Sequence, residues 1–237
     1  MKYKIIIFDV GDTLLEYYPS QAQIYEECLS EMGLTAERKK IKRVIDNASH
    51  EQIAGETIGA PRMSDEDFKD MLDKAALSCV EFEGDVSDAE TKEYLQILKG
   101  YPQSEQELKI IPGVIETLDK LKKDFRLAVV SNHRKELLGY LKELGLSDYF
   151  ESIVVSEIVG CEKPDIKIMQ IALDELQADA SECLYVGDHP FDVLCAKGAG
   201  IDCAWLTNPE SVLPDSIPHT EDYKISELSE IVGILAN

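Results

Sequence analysis

The chain has 237 residues, of which 44% are hydrophobic and 30% are charged. That balance is typical of a globular protein, and the length allows one large domain or a core with an inserted domain. With 46 acidic against 24 basic residues the formal net charge is -22, which repels polyanions and argues against a role in binding nucleic acid.

Cysteine usage and the first residues indicate the compartment. The six cysteines show no CxxC spacing and there are only four histidines, a pattern that argues against a zinc site. The apolar run Ile5 to Phe8 is too short for a signal peptide or a membrane span. We therefore expect a cytoplasmic protein with free thiols and no membrane association.

After this first strand-like run, residues 16 to 105 show helical periodicity and no convincing strand. Four helical faces are predicted in this stretch, marked by Ile24 to Met32, Ile41 to Ala48, Phe68 to Cys79, and Leu95 with Leu98.

From residue 110 onward, strand and helix patterns alternate, which predicts βα units and a parallel sheet. The leucine stripe from Leu137 to Leu144 predicts a helix that ends at Gly145, and Ile166 to Leu176 predicts another. The predicted strands are Leu127 to Val130, Ser152 to Val155, Cys183 to Val186 and Cys203 to Leu206. The sequence thus predicts an α/β fold with a Rossmann-like parallel sheet flanked by helices. We place the core at residues 1–15 and 106–237, and an inserted all-helical domain at 16–105.

Polar residues capable of phosphoryl chemistry follow several of the predicted strands. In an open parallel sheet the carboxyl ends of the strands line one crevice, so these residues should converge. A carboxylate can attack phosphorus, a second acidic cluster can hold Mg²⁺, and a hydroxyl and an ammonium can bind phosphate oxygens. The segments are Phe8-Asp9-Val10-Gly11-Asp12-Thr13, Ser131-Asn132, Lys163-Pro164 and Gly187-Asp188-His189-Pro190-Phe191-Asp192.

The order and spacing of these four segments resemble the haloacid dehalogenase (HAD) superfamily of aspartate-nucleophile hydrolases. The resemblance covers nearly the whole chain, and it implies that the helical insert is a cap over the crevice. It further implies that Asp9 is the nucleophile, that Ser131 binds a phosphate oxygen with Asn132 beside it, and that Lys163 neutralises nucleophile and phosphate. The implied Mg²⁺ ligands are Asp9, the Gly11 carbonyl and Asp188, with Asp192 either a ligand or just behind the ligands.

The chain departs from that superfamily at Gly11. Phosphatases of the superfamily usually carry there a second Asp, which protonates the leaving group and then activates water. General acid–base help is worth about 10²–10⁴-fold, so its loss would slow hydrolysis without abolishing it. The candidate replacements are Asp12, one residue further on, His133, His189 and a cap residue. Glycine also often adopts φ > 0, where an Asp would be strained.

The leading hypothesis is a Mg²⁺-dependent phosphatase that hydrolyses a small phosphorylated metabolite through an aspartyl-phosphate. A 2-haloacid dehalogenase also lacks the second Asp, but it needs no metal and usually has no acidic pair like Asp188 and Asp192. A third hypothesis is a binding protein that has the HAD fold but little turnover, because Gly11 stands where the second Asp is usual. A receiver domain has its acidic metal pair first and its Lys last, the reverse of the order here. The sequence leaves the substrate open, and it is compatible with a monomer or a homodimer.

Overall fold

The computed structural model of the chain describes residues 2–57, 63–82, 84–101, 106–207, 213 and 217–236. The chain divides into two compact units. The core unit comprises Met1–Glu16 and Leu108–Asn237, and the helical unit comprises Tyr17–Glu107. Within the described ranges, no helix has the length and apolarity that crossing a bilayer would take.

The described residues form eight strands, six of them in one parallel sheet with the order β5-β4-β1-β6-β7-β8. The remaining two, β2 and β3, pair with each other. In chain order the strands are β1 (Ile5–Phe8), β2 (Leu15–Tyr18), β3 (Glu107–Ile110), β4 (Arg126–Ser131), β5 (Ser152–Val155), β6 (Cys183–Gly187), β7 (Asp202–Leu206) and β8 (Tyr223–Ile225).

The helices fall into two groups. The first four belong to the helical unit: α1 (Gln21–Glu31), α2 (Arg38–Thr57), α3 (Asp65–Leu77) and α4 (Asp88–Gly100). The others belong to the core unit: α5 (Val114–Leu121), α6 (Leu137–Glu143), α7 (Ser156–Val159), α8 (Lys167–Leu176), α9 (Pro190–Gly198) and α10 (Glu230–Leu235).

Strand β1 lies inside the sheet and is buried on both faces. All four of its residues are fully buried, as expected of a parallel strand covered by helices on each side. Ile6 and Phe8 belong to one apolar cluster, whereas Ile5 and Ile7 belong to the cluster on the opposite face. The alternation follows from the two-residue period of a strand. The predicted α/β fold with a parallel sheet is confirmed.

The chain runs outward from β1 to β4 and β5 on one side, then returns to β6, β7 and β8 on the other. Such a reversal of strand order opens a crevice at the carboxyl ends of the central strands. Asp9 follows β1, Ser131 ends β4 and Asp188 follows β6, so the sheet itself brings these three residues to one edge.

Local signals predicted most of the core elements well. Ser152–Val155 forms a strand with the predicted bounds, and α6 ends before Gly145, whose φ of 72° only glycine adopts without strain. The expectation that residues 16 to 105 contain no strand was wrong for the first residues of this stretch, because β2 extends to Tyr18. Strand β8 was also missed, since it has only three residues.

The helical unit has an apolar core of its own, to which helices α1 to α4 all contribute. Serine residues cap three of the four helices, with Ser20, Ser64 and Ser87 each accepting a backbone N–H of the first turn. Among the residues of this unit whose burial the structure describes, one carboxylate is buried. Asp73, which is 2% exposed, accepts hydrogen bonds from Tyr25 at 2.8 Å and from Lys69 at 3.0 Å, so its charge is paired.

Candidate active site

The buried ammonium of Lys163 joins two carboxylates at the carboxyl edge of the sheet. Its Nζ lies 2.7 Å from Asp9 Oδ1 and 2.6 Å from Asp192 Oδ1. Lys163 is 4% exposed, Asp9 8% and Asp192 0%. A buried charge is tolerated only when it is paired and hydrogen-bonded, and here one cation serves two anions.

Asp192 is held in place on all sides. Its Oδ1 also accepts from the Tyr185 hydroxyl at 3.1 Å, and its Oδ2 accepts from the backbone N–H of His189 at 2.9 Å. That second bond is half of a capping box at the start of α9, in which His189 is the N-cap residue. Neither Asp188 nor Asp192 is the N-cap itself.

Asp188 faces the same cluster from the end of β6. Its Oδ1 accepts from the hydroxyl of Thr13 at 3.1 Å, and its backbone carbonyl accepts from the indole N–H of Trp205 at 2.7 Å. Thr13 is fully buried and Trp205 is 1% exposed. Residues from the loop after β1 and from β7 therefore fix the orientation of Asp188.

Asp9, Asp188 and Asp192 form a compact acidic cluster. Each offers one carboxylate oxygen, and the three oxygens lie within 4.8 Å of one another. Burial raises the pKa of Asp9 above its usual range, which the Lys163 ammonium opposes and the Asp192 charge reinforces. Burial likewise raises the pKa of Asp188 well above its usual range, and Asp9 and Asp192 add to the effect. Three carboxylates around a single ammonium leave an excess of buried negative charge, so the oxygen donors fit a divalent cation.

The pKa of Lys163 shows the same imbalance from the cationic side. Burial alone would lower the pKa of this amine, but the carboxylates of Asp192 and Asp9 outweigh burial and raise it above the usual lysine value. Lys163 is therefore charged in the folded protein. Burial raises the pKa of the neighbouring Tyr185 well above its usual value, so this phenol is neutral.

Ser131 and Asn132 differ in their surroundings although they are adjacent. Ser131 ends β4 and is 2% exposed, and no described residue hydrogen-bonds to its hydroxyl. The side chain of Asn132 instead makes two bonds of 2.8 Å to the backbone of Lys163, one donated to the carbonyl and one accepted from the N–H. Asn132 thus holds the lysine loop against the end of β4.

Gly11 does not need the conformational freedom of glycine. Its φ lies outside the left-handed region, and a Cβ built there meets no atom within 4 Å. The concern that a side chain at this position would be strained was therefore wrong. The left-handed residue of the loop is Asp12, with φ of 49°, a conformation that Asp tolerates better than most residues. The Asp12 charge adds to the causes that raise the pKa of Asp188, so its carboxylate acts on the acidic cluster.

Gly187, by contrast, has no room for a side chain. A Cβ at this position would lie 2.5 Å from Cγ and 2.9 Å from Cβ of Asp192. The Asp192 carboxylate is held in place by three hydrogen bonds, so it cannot move away without losing them. Asp192 can therefore occupy its observed position only because residue 187 has no side chain.

The two histidines near the site have local partners. His189 Nδ1 accepts the backbone N–H of Phe191 at 3.1 Å as part of the helix cap. His133 Nδ1 lies 3.1 Å from the carbonyl of Arg134. His133 and Arg134 also line an open groove of about 560 Å³, together with Asn132 and residues between 156 and 162. Two of the lining residues are sequence neighbours of site residues, since Asn132 follows Ser131 and Glu162 precedes Lys163.

Sequence reasoning missed two side chains of this arrangement. Thr13 stood within a recognised segment, but its contact with Asp188 depends on how the loop after β1 folds back. Tyr185 was counted as part of an apolar strand run, and the one available signal was a hydroxyl-bearing residue two positions before Gly187.

The chain thus has an α/β fold whose buried charged groups gather at the carboxyl edge of a parallel sheet. The model of the haloacid dehalogenase-like hydrolase family matches residues 6–206, a stretch that contains every residue of the candidate site. The chain belongs to this family, and the predicted HAD-type hydrolase is confirmed at that level.

Known proteins extend the comparison. Phosphoglycolate phosphatase 1 from Pseudomonas aeruginosa is 25% identical over 208 residues, which are 86% of this chain and 69% of the relative. The solved structure of a HAD-hydrolase, YfnB from Bacillus subtilis bound to magnesium, aligns over 100% of both chains with a TM-score of 0.62 and 23% identity, which shows the fold alone. That of a 2-haloacid dehalogenase from Pseudomonas syringae pv. Tomato aligns over 99% of this chain and 98% of the other, with a TM-score of 0.55 and 25% identity.

Proposed function

We propose that the protein is a Mg²⁺-dependent phosphatase that hydrolyses a small phosphomonoester through an aspartyl-phosphate on Asp9. The observation that carries the proposal is the acidic cluster with Lys163 at its side. Three carboxylate oxygens within 4.8 Å suit a hard divalent cation, and a charged ammonium beside Asp9 suits a phosphate. The phosphatase relative supports the same class of substrate.

Asp9, the Gly11 carbonyl and Asp188 would hold the cation, with Asp192 behind them as the partner of Lys163. When bound, Mg²⁺ would screen the phosphate charge that otherwise repels the Asp9 carboxylate. This assignment fits the excess of buried negative charge. It also fits the engagement of both Asp192 oxygens with Lys163, Tyr185 and the His189 N–H.

The reaction would use the chain's own groups in two displacements. An oxygen of Asp9 attacks phosphorus, the bond to the ester oxygen breaks, and the electron pair leaves with that oxygen. Lys163 stabilises the charge that moves from Asp9 onto the phosphoryl oxygens, and the Ser131 hydroxyl donates to one of them. Water then attacks the aspartyl-phosphate at phosphorus and regenerates Asp9.

Proton transfer is where this chain differs from the usual pattern. The leaving oxygen gains a proton in the first displacement, and the water loses one in the second. With no carboxylate at Gly11, the candidate for both tasks in this loop is Asp12, one residue further on. The groove beside the site, lined by His133 and Arg134, offers room for the organic part of a small ester, in the size range of ligand pockets.

The test is a panel of phosphomonoesters assayed with Mg²⁺ and after exhaustive EDTA treatment, with the wild type and Asp9→Asn in parallel. We expect turnover that EDTA abolishes and Mg²⁺ restores, and no turnover by Asp9→Asn, because that variant loses both the attacking charge and a cation ligand. Activity of Asp9→Asn within tenfold of the wild type would exclude Asp9 as the nucleophile.

Two other outcomes would select the alternatives. Chloride release from a 2-haloacid, undiminished by EDTA, would identify a dehalogenase. This alternative is retained because the chain is similar to the solved structure of a 2-haloacid dehalogenase. Phosphate binding without turnover on any ester would identify a binding protein that retains the site but lacks an effective acid at Gly11.

A further inference from the structure

The hydroxyl of Tyr185 lies at the centre of the site's hydrogen bonds although it touches no part of the crevice that a substrate could occupy. Tyr185 is on β6 and is 0% exposed. Its oxygen lies 3.0 Å from Lys163 Nζ, 2.8 Å from the carbonyl of Val130 and 3.1 Å from Asp192 Oδ1. It therefore contacts three of the segments that build the site.

The number of protons on each group determines which of them donates and which accepts a hydrogen bond. The ammonium of Lys163 carries three protons and is a donor only, whereas the phenol carries one. The phenol thus accepts from Lys163 and shares its single proton between the Val130 carbonyl and Asp192 Oδ1 in a bifurcated hydrogen bond. Of the four oxygens around Nζ, those of Asp9, Asp192 and Tyr185 lie within 3.0 Å, and the Val130 carbonyl is further away at 3.4 Å.

This geometry leaves the ammonium little freedom. Asp192 and Tyr185 take two of its protons, so the third is directed at Asp9. Val130 precedes Ser131, so the bond from the phenol to its carbonyl also links the end of β4 to the lysine. A neutral acceptor suits this place, because another carboxylate would add to the excess negative charge of the cluster.

We propose that Tyr185 is a positioning residue for catalysis: its hydroxyl holds the Lys163 ammonium at Asp9 while charge moves from the nucleophile to the phosphoryl group. The catalytic part of this inference rests on the proposed phosphatase function. Without the hydroxyl, Lys163 has one fixed partner fewer and can turn toward Asp192 alone. The preorganisation of a cation toward the reacting atoms is a main source of rate in such sites.

The test is Tyr185→Phe, which removes one oxygen atom, with Tyr3→Phe as the matched control. Tyr3 belongs to the same unit, is 5% exposed and donates to the carboxylate of Asp202 at 2.7 Å, at the opposite end of the sheet. Both variants lose a buried phenol hydroxyl that is bonded to a carboxylate, so both should lose stability to a similar extent.

We expect kcat on an aryl phosphate with Mg²⁺ to fall about tenfold in Tyr185→Phe, the usual effect of losing one hydrogen bond to a charged group. Inhibition by inorganic phosphate should weaken in the same variant. Tyr3→Phe should keep both quantities within twofold of the wild type. A Tyr185→Phe protein with the kinetics of Tyr3→Phe would overturn the inference.

A second measurement needs neither activity nor the variant. In ¹⁵N-lysine-labelled wild-type protein, assigned with Lys163→Arg, the ammonium protons of Lys163 should exchange slowly with water because three oxygens hold them. Lys122, whose side chain is 48% exposed in an ion pair with Asp119, is the internal reference. Equal exchange rates at the two lysines would refute the positioning role of Tyr185, even if Tyr185→Phe does not fold. A wild-type protein that hydrolyses no phosphate ester would instead refute the proposed phosphatase function.

Discussion

Replacing Lys163 with Met tests whether the ammonium is the main neutralising charge of the site. Met fills a similar volume without charge, so Asp9 and Asp192 would lose a partner at 2.7 Å and 2.6 Å. Removing one member of a buried ion pair costs about 3–5 kcal/mol, because an uncompensated charge is left in the interior. For a chain of this size that is a fall in Tm of about 10 °C.

The size of this effect should depend on pH, and its sign follows from the raised pKa values of Asp9 and Asp188. A carboxyl with a raised folded-state pKa binds its proton more tightly in the folded protein, so its contribution to stability is full below about pH 4, the unfolded value. The contribution is lost as the pH rises through the folded-state value. Without the ammonium the folded-state pKa of Asp9 rises further, so Lys163→Met should be more destabilised at pH 8 than at pH 5.

The assay is thermal unfolding in EDTA at both pH values, followed by circular dichroism. Lys122→Met is the control, since Lys122 pairs with Asp119 at the same distance of 2.7 Å but at the surface, where ion pairs contribute little. If Lys163→Met unfolds at the same temperature as Lys122→Met at pH 8, the buried charges are not the source of stability inferred here.

Two glycine substitutions test the loops around the site. Gly187→Ala should displace Asp192, which should lower the free energy of unfolding by about 1–3 kcal/mol and kcat by more than tenfold. The control is Gly139→Ala in α6, where a Cβ meets no other atom, and this change should be neutral or stabilising. Equal unfolding temperatures and equal activities of the two variants would contradict the clash with Asp192. Gly11→Asp should fold like the wild type, because the position has room and an ordinary φ, and should lower the ratio of aryl to alkyl phosphate hydrolysis by supplying an acid. Gly11→Ala separates the effect of the carboxyl from that of the Cβ, and an unchanged ratio in a folded Gly11→Asp protein that still binds Mg²⁺ would mean that protonation of the leaving group is not what limits the wild type.

Much of the core could be predicted because its signals are local. The strands β4 to β7 are short apolar runs bounded by polar residues, and α6 shows its leucine stripe and its terminal glycine within nine residues. The convergence of Asp9, Ser131 and Asp188 was also predictable, since parallel strands must bring their carboxyl ends to one edge.

The remainder depends on pairings that no local pattern records. Strand β2 pairs with β3 across about ninety residues of intervening chain, and Tyr17 and Tyr18, both 47% exposed, give no apolar alternation. The side chain of Asn132 stands next to Ser131 in the sequence, yet it binds the backbone of Lys163. Such contacts follow from the packed positions of the elements and become visible only in three dimensions.

The central place of β1 has a consequence for synthesis. Of the strands of this sheet, β1 is synthesised before its neighbours, but it hydrogen-bonds to β4 and β6 on its two sides, and β6 begins only at Cys183. At about 5–20 residues per second, the edge of β1 that pairs with β6 stays open for roughly 10 to 35 s. The helical unit between them is built from contacts between helices that are near in the chain, which form quickly. Synthesis therefore delivers a helical unit able to fold first, while an entirely apolar strand that carries the nucleophile candidate at its end waits for its second neighbour.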